Sequence, residues 1–177
     1  MRDNYLFELE RNLELQASSF LMQKESSLLQ SQIRTEHFQI SLLDRLRNQV
    51  NQVISIDIKG LNTFTGTLKE IASDHICLEV GEIEYAFPVE VIQFIKNVSH
   101  KSQLATLLQS KWNFQSYLRS ALIEKKQISI YLIQAKIVSG IVSAVYQDHF
   151  DLKLDNSILS IFNGSVIYIS KERDFDD

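Results

Sequence analysis

The chain has 177 residues, of which 45% are apolar and 23% charged, with five Gly, one Pro and one Cys. This composition excludes a disordered tail and a disulfide framework, and it can fill the core of one ordinary domain or two small ones. The formal net charge of −4 is concentrated in residues 51–100, which hold 3 Lys/Arg against 7 Asp/Glu, and an acidic middle is ill suited to a nucleic-acid backbone.

Residues 5–34 predict one long helix. Leu6, Leu9, Leu13, Ala17 and Phe20 follow a 3-4 spacing, Leu28, Leu29 and Ile33 resume it after a shift, and no Gly or Pro interrupts the span. Such a stripe must be buried, either on the rest of the chain or against a partner helix, including the same helix of another copy. Ser41–Gln49 reads as a short helix with a Ser N-cap and with Leu42, Leu43 and Leu46 on one face.

Five strands follow. Val53–Lys59 alternates Ile54, Ile56 and Ile58 inward against Ser55, Asp57 and Lys59 outward. Thr63–Ala72 is a long strand with Gly66 at the point where a small sheet bends. Asp74-His75 marks a tight turn, and Ile76, Leu78 and Val80 form the inward set of the third strand, which leaves Cys77 outward. Ile83–Phe87 and Val91–Ile95 complete the set around Pro88. After a polar linker, Asn97–Ser102, a helical turn is expected at Gln103–Gln109 and a second leading helix at Phe114–Lys125, with Arg119 in register with Arg45. Strands are then expected at Ile128–Ile133, Lys136–Tyr146, Phe150–Leu154, Ile158–Phe162 and Val166–Ser170, with Asn163-Gly164 as a turn.

The two strand sets superimpose without a gap when the sequence is shifted by 74 residues. Ile54-Ser55-Ile56 meets Ile128-Ser129-Ile130, Gly66 meets Gly140, Asp74-His75 meets Asp148-His149, Leu78 meets Leu152 and Ile95 meets Ile169, eight identities in 42 positions. Because the matches coincide with the strand and turn pattern, the sequence predicts a duplication. The expected fold is mainly β with helices: a long N-terminal helix (1–36), then two tandem five-stranded small β-barrels with leading helices (37–98 and 99–171), and an acidic tail (172–177).

A leading helix, a Gly-containing bent second strand, an Asp turn and five strands together resemble the Sm-like small barrel, the family of bacterial Hfq and eukaryotic Sm proteins. The lines VISIDIKGLNTFTGTLKEIASDHICLEV and QISIYLIQAKIVSGIVSAVYQDHFDLKL carry the likeness. The whole layout, with its LLDRLR segment, also resembles a group of uncharacterised actinobacterial proteins with a long N-terminal helix and two such barrels. The Sm resemblance implies RNA binding on the inner face of a six- or seven-membered ring. The base-holding Asn of Sm proteins has no counterpart beside Asp74, where Cys77 and Leu78 stand, nor in the second copy, where Asp151 and Leu152 do. The basic, His-containing element of Hfq is replaced by Phe87-Pro88-Val89-Glu90 and Phe162-Asn163-Gly164-Ser165.

Candidate chemistry is sparse. The repeated Asp-His pairs could orient a general base, but adjacent residues at a strand entry point in different directions, and a turn role accounts for them. His37, His75, His100 and His149 show no metal-ligand spacing, and Cys77 reads as a packed cysteine between the barrels or under the N-terminal helix. No phosphate loop or nucleophile elbow occurs. Lys111, Arg119, Lys125, Lys126 and Lys136 form the one basic concentration, with Trp112, Phe114 and Tyr117 nearby as possible stacking partners for a single strand.

The sequence therefore predicts a non-catalytic scaffold that docks a protein partner or copies of itself, with no cofactor, metal or small-molecule substrate. RNA binding through the basic residues of the second barrel is the alternative. Acids at Glu8, Glu10 and Glu14 oppose a signal peptide and no apolar run reaches about 18 residues, so a cytoplasmic, membrane-free protein is expected.

Overall fold

Alternating apolar residues set the strands, and their limits follow the sequence pattern closely. The computed structural model describes residues 15, 16, 18–30 and 39–172, which fall in two units, 1–41 and 42–177. In the first unit residues 18–30 form helix α1; the remainder of the helix expected over 5–34 lies outside the described residues except for 15 and 16, which are helical. The acidic tail beyond Glu172 also lies outside them. No helix among the described residues is long and apolar enough to cross a membrane.

The second unit is mainly β. Its strands are β1 (Val53–Ile58), β2 (Thr63–Ile71), β3 (His75–Val80), β4 (Ile83–Pro88), β5 (Ile92–Lys96), β6 (Gln127–Leu132), β7 (Lys136–Val145), β8 (His149–Lys153), β9 (Ile158–Phe162) and β10 (Val166–Glu172). Its helices are α2 (Leu42–Leu46), which tightens into a 3-10 turn at Arg47–Gln49, α3 (Leu107–Lys111) and α4 (Phe114–Glu124). Thr106 and Gln109 form a capping box on α3, the Asn113 side chain caps α4, and Lys125 ends α4 in the left-handed region at φ 54°.

All ten strands belong to one antiparallel sheet in the order β5-β1-β2-β3-β4-β10-β6-β7-β8-β9. The first five strands and the last five therefore follow the same order, and β4 pairs with β10 where they meet. Equivalent details recur 74 residues apart. Ile54 faces Gly66 and Ile128 faces Gly140; Ser55 Oγ lies 2.8 Å from Thr65 Oγ1, and Ser129 Oγ lies 2.8 Å from Ser139 Oγ. A register shift follows Leu68 and another follows Val142.

Two cores result. Leu46, Ile54, Ile56, Ile58, Leu68, Ile71, Ile76, Leu78 and Phe87 fill the first, and Ile167 and Tyr168 of β10 pack against it. Leu118, Ile128, Ile130, Val142, Phe150, Leu152, Ile161 and Ile169 fill the second, which also takes in Cys77 and Ala86 from β3 and β4. Each core thus borrows side chains across the β4–β10 pairing.

The outward side of β3 departs from the simple alternating picture. His75 and Cys77 point away from Ile76 and Leu78 as the period of two requires, yet both are buried, because α4 covers that face with Phe114 and Tyr117.

Candidate functional site

The two Asp-His turns are built alike and used differently. The Asp74 carbonyl accepts the Val89 N–H at 2.8 Å, and the Asp148 carbonyl accepts the Asn163 N–H at 2.9 Å, so each turn ties the β2–β3 or β7–β8 hairpin to the end of the following strand. In each, the carboxylate meets the adjacent imidazole Nδ1, at 3.0 Å for His75 and 2.7 Å for His149. Asp148 is exposed, and the hydrogen bond from His149 holds its carboxyl below the usual carboxylate range. The His149 ring stacks on Tyr146 at 4.5 Å between centroids and stays half-buried.

His75 is fully buried, with Phe114 and Tyr117 edge-on at 5.7 and 5.6 Å. Around it the first turn anchors the leading helix of the second half: Asp74 Oδ1 accepts the Phe114 N–H at 2.8 Å, and Ser73 donates through both N–H and Oγ to the Trp112 carbonyl. On the same face the β-bulge after Leu68 turns Glu70 out of the core and sets it opposite Cys77, while Ile71 returns to the core opposite Ile76. Glu70, His75 and Cys77 thereby become neighbours. Burial pushes the Cys77 thiol well above its ordinary value, helped by the Glu70 and Glu84 carboxylates and opposed by Lys171.

Polar groups also stitch the β4–β10 joint. Tyr117 Oη donates to Glu84 Oε1 at 3.1 Å; Lys171 Nζ lies 3.4 Å from both Glu84 Oε1 and Glu124 Oε2 and 5.3 Å from the centre of the Tyr117 ring. Burial works to lower the Lys171 value, and the two carboxylates more than reverse it. The Tyr117 phenol is pushed far up by burial, with Cys77 and Glu84 adding to it. A raised phenol holds its proton in the fold beyond pH 10.0, where the unfolded chain begins to lose it, so stability is complete below that value and falls as the pH rises above it. Tyr117→Phe should therefore cost about 1–2 kcal/mol at neutral pH, through the lost bond to a carboxylate. It should also flatten the alkaline decline. Urea midpoints measured from pH 7 to 11 check both; parallel profiles for the two proteins would refute the second.

Of the five basic residues, the register sets only Lys136 apart. Lys111 ends α3, Arg119 lies midway along α4, and Lys125 and Lys126 follow its end. Lys136 opens β7 opposite Leu132, at the other end of β6, so a strand length of roughly 17 Å separates it from Lys126. Phe114 and Tyr117, expected as stacking surfaces, are core residues, and of that trio Trp112 alone is exposed.

What the sequence pattern leaves out is the sheet's ends. Among the described residues, β5 and β9 each pair on one side only. β9 carries exposed apolar side chains, with Ile158 65% and Phe162 62% accessible, and β5 exposes Phe94. Beyond Lys96 the chain turns off: Asn97 adopts φ 59°, Gln49 Nε2 donates to its carbonyl, and Arg45 holds the carbonyls of Val98 and Ser99. No protein-family model matches the chain, and no curated protein matches it.

Proposed function

We propose that the chain is a non-catalytic interaction protein built from two Sm-like small barrels, and that it docks copies of itself edge to edge through β9 of one copy and β5 of the next. One observation carries this reading. The joint inside the chain pairs Ile83–Ala86 of β4 with Ile169–Glu172 of β10, and by the 74-residue correspondence β9 is the second β4 and β5 is the first β10. The two strands left open are the same two kinds of edge that already meet within the chain. An unpaired strand edge is a ready template for such addition, and a heterologous pairing repeats from copy to copy. The Sm-like resemblance supports it, since in such assemblies neighbouring barrels pair along their exposed strands.

The internal register, carried outward, sets Ile95 opposite Ser160 and Lys96 opposite Leu159 of the neighbour. The turn at Asn97 and Val98 removes the counterparts of Lys171 and Glu172, so two of the four pairs remain, and the joint between copies is weaker than the joint within one. Association should therefore rise with protein concentration. Sedimentation velocity over a dilution series tests this, and Lys96→Cys combined with Leu159→Cys should form a ladder of disulfide-linked copies on oxidation, whereas either change alone stops at a linked pair. A wild-type chain that stays monomeric at every concentration, together with no ladder, would sink the reading. The nucleic-acid alternative has less support, because Lys136 lies a strand length from Lys126 and two of the three expected stacking rings, Phe114 and Tyr117, are buried.

A further inference from the structure

We propose that Glu70, His75 and Cys77 form a binding site for one zinc-like divalent transition-metal ion on the α4-covered face of the β2–β3 hairpin. One donor atom from each residue lies within 4.8 Å of the other two. His75 Nε2 and Glu70 Oε1 are both buried, and neither has a hydrogen-bond partner. They stand 3.8 Å apart, too far for a hydrogen bond between them. Nitrogen and oxygen ligands about 2.0–2.2 Å from a tetrahedral ion lie roughly 3.3–3.5 Å from one another, so this pair has only a few tenths of an ångström to close around an ion.

The surroundings fit the same chemistry. Asp74 Oδ1 accepts a hydrogen bond from His75 Nδ1–H, the tautomer that leaves the Nε2 lone pair free toward Glu70 and Cys77, and the Phe114 N–H fixes that carboxylate in turn. A carboxylate on the far nitrogen is the usual support of a metal-binding histidine. Carboxylate, imidazole and thiolate together suit a borderline-soft ion, and the two anions cancel its charge in a buried place. On binding, the Cys77 S–H bond breaks, the sulfur keeps the electron pair for the metal, and the proton leaves to solvent. Glu70 is partly exposed and also lines a pocket of about 270 Å³ with Trp112 and Leu108, so water can supply a fourth ligand.

The second half lacks the set. The bulge after Val142 places Ala144 opposite Asp151, so His149 has no counterpart of Glu70 or Cys77 beside it. Among the described residues this is the one such set.

The test uses the full-length reduced chain, stripped of metal by chelator dialysis and titrated with Co²⁺ under an absorption readout. Saturation at one equivalent is expected, with a thiolate-to-cobalt charge-transfer band that Zn²⁺ displaces. Cys77→Ala should remove that band, and His149→Gln should leave it unchanged. Glu70→Gln and Asp74→Asn should each weaken binding by about 10–100-fold or more. Because Cys77 is buried, circular dichroism confirms the fold of each variant. Glu70→Gln, at a partly exposed position, decides the matter if Cys77→Ala unfolds. A folded wild-type chain with no charge-transfer band at one equivalent would overturn the proposal, as would an affinity indifferent to Glu70→Gln.

Discussion

Phe87→Ala should lower the stability of the chain by about 3–5 kcal/mol and move its thermal midpoint down by roughly 10 °C or more. Phe87 is among the largest fully buried side chains. Its ring packs edge-on against Phe64 at 5.0 Å, near-parallel to Tyr85 at 6.0 Å, and against Tyr168 at 5.7 Å. Truncation removes the transfer free energy of the ring and leaves a cavity walled by three other rings, too stiff to collapse into it. Tyr168 belongs to β10, so the cavity opens at the joint as well as inside the first core. The two halves share one sheet and exchange core residues, so the loss should appear as a single shifted transition. Urea denaturation followed by both fluorescence and circular dichroism measures it. A curve that splits into two steps, with the second step unmoved, would show that the halves melt independently and that the joint carries little.

The sequence shows the strands because their burial is one-sided. Ile54, Ile56 and Ile58 alternate with polar residues, and the structure places β1 there; Ile158–Phe162 is β9 to the residue. What it does not show is which outward faces remain outward. His75 and Cys77 look like the wet side of a hairpin until α4, some forty residues further on, is laid across them. A local period of two cannot report a cover that comes from so far along the chain. The β4–β10 pairing was hidden for the same reason, since edge residues such as Glu84 and Lys171 read as ordinary surface charges.

Lys136 shows the opposite case. Lys125, Lys126 and Lys136 are close in sequence, but an extended strand intervenes and carries Lys136 away. Phe114 and Tyr117 read as partners of those lysines, yet the N-terminal turns of α4 present them to His75 and the second core. Proximity along the chain is a guide to contact only within a helix or a turn. The candidate site that did emerge depends on a β-bulge, which no residue pattern in β2 announces: Leu68-Lys69-Glu70-Ile71 is compatible with either face for Glu70.

Gly66→Ala and Gly140→Ala should each destabilise the fold by about 1–3 kcal/mol, and the reason is close approach rather than backbone freedom. Neither glycine has a positive φ. A Cβ at Gly66 would fall on the Glu79 carbonyl and 2.7 Å from Val80 Cγ2; at Gly140 it would lie 2.5 Å from the Lys153 carbonyl and 2.9 Å from Leu152 Cγ. The obstacles are partly backbone, in the strand that β2 or β7 pairs with, so relief requires moving the hairpin and not merely turning a rotamer. At these two points one strand lies close against its neighbour, which a glycine permits and a methyl group forbids. Gly164→Ala is the control: nothing lies within 4 Å of the added carbon and φ is not positive, so its effect should stay within about 0.5 kcal/mol. Equal denaturation midpoints for Gly66→Ala, Gly140→Ala and Gly164→Ala would refute the close approach at Gly66 and Gly140.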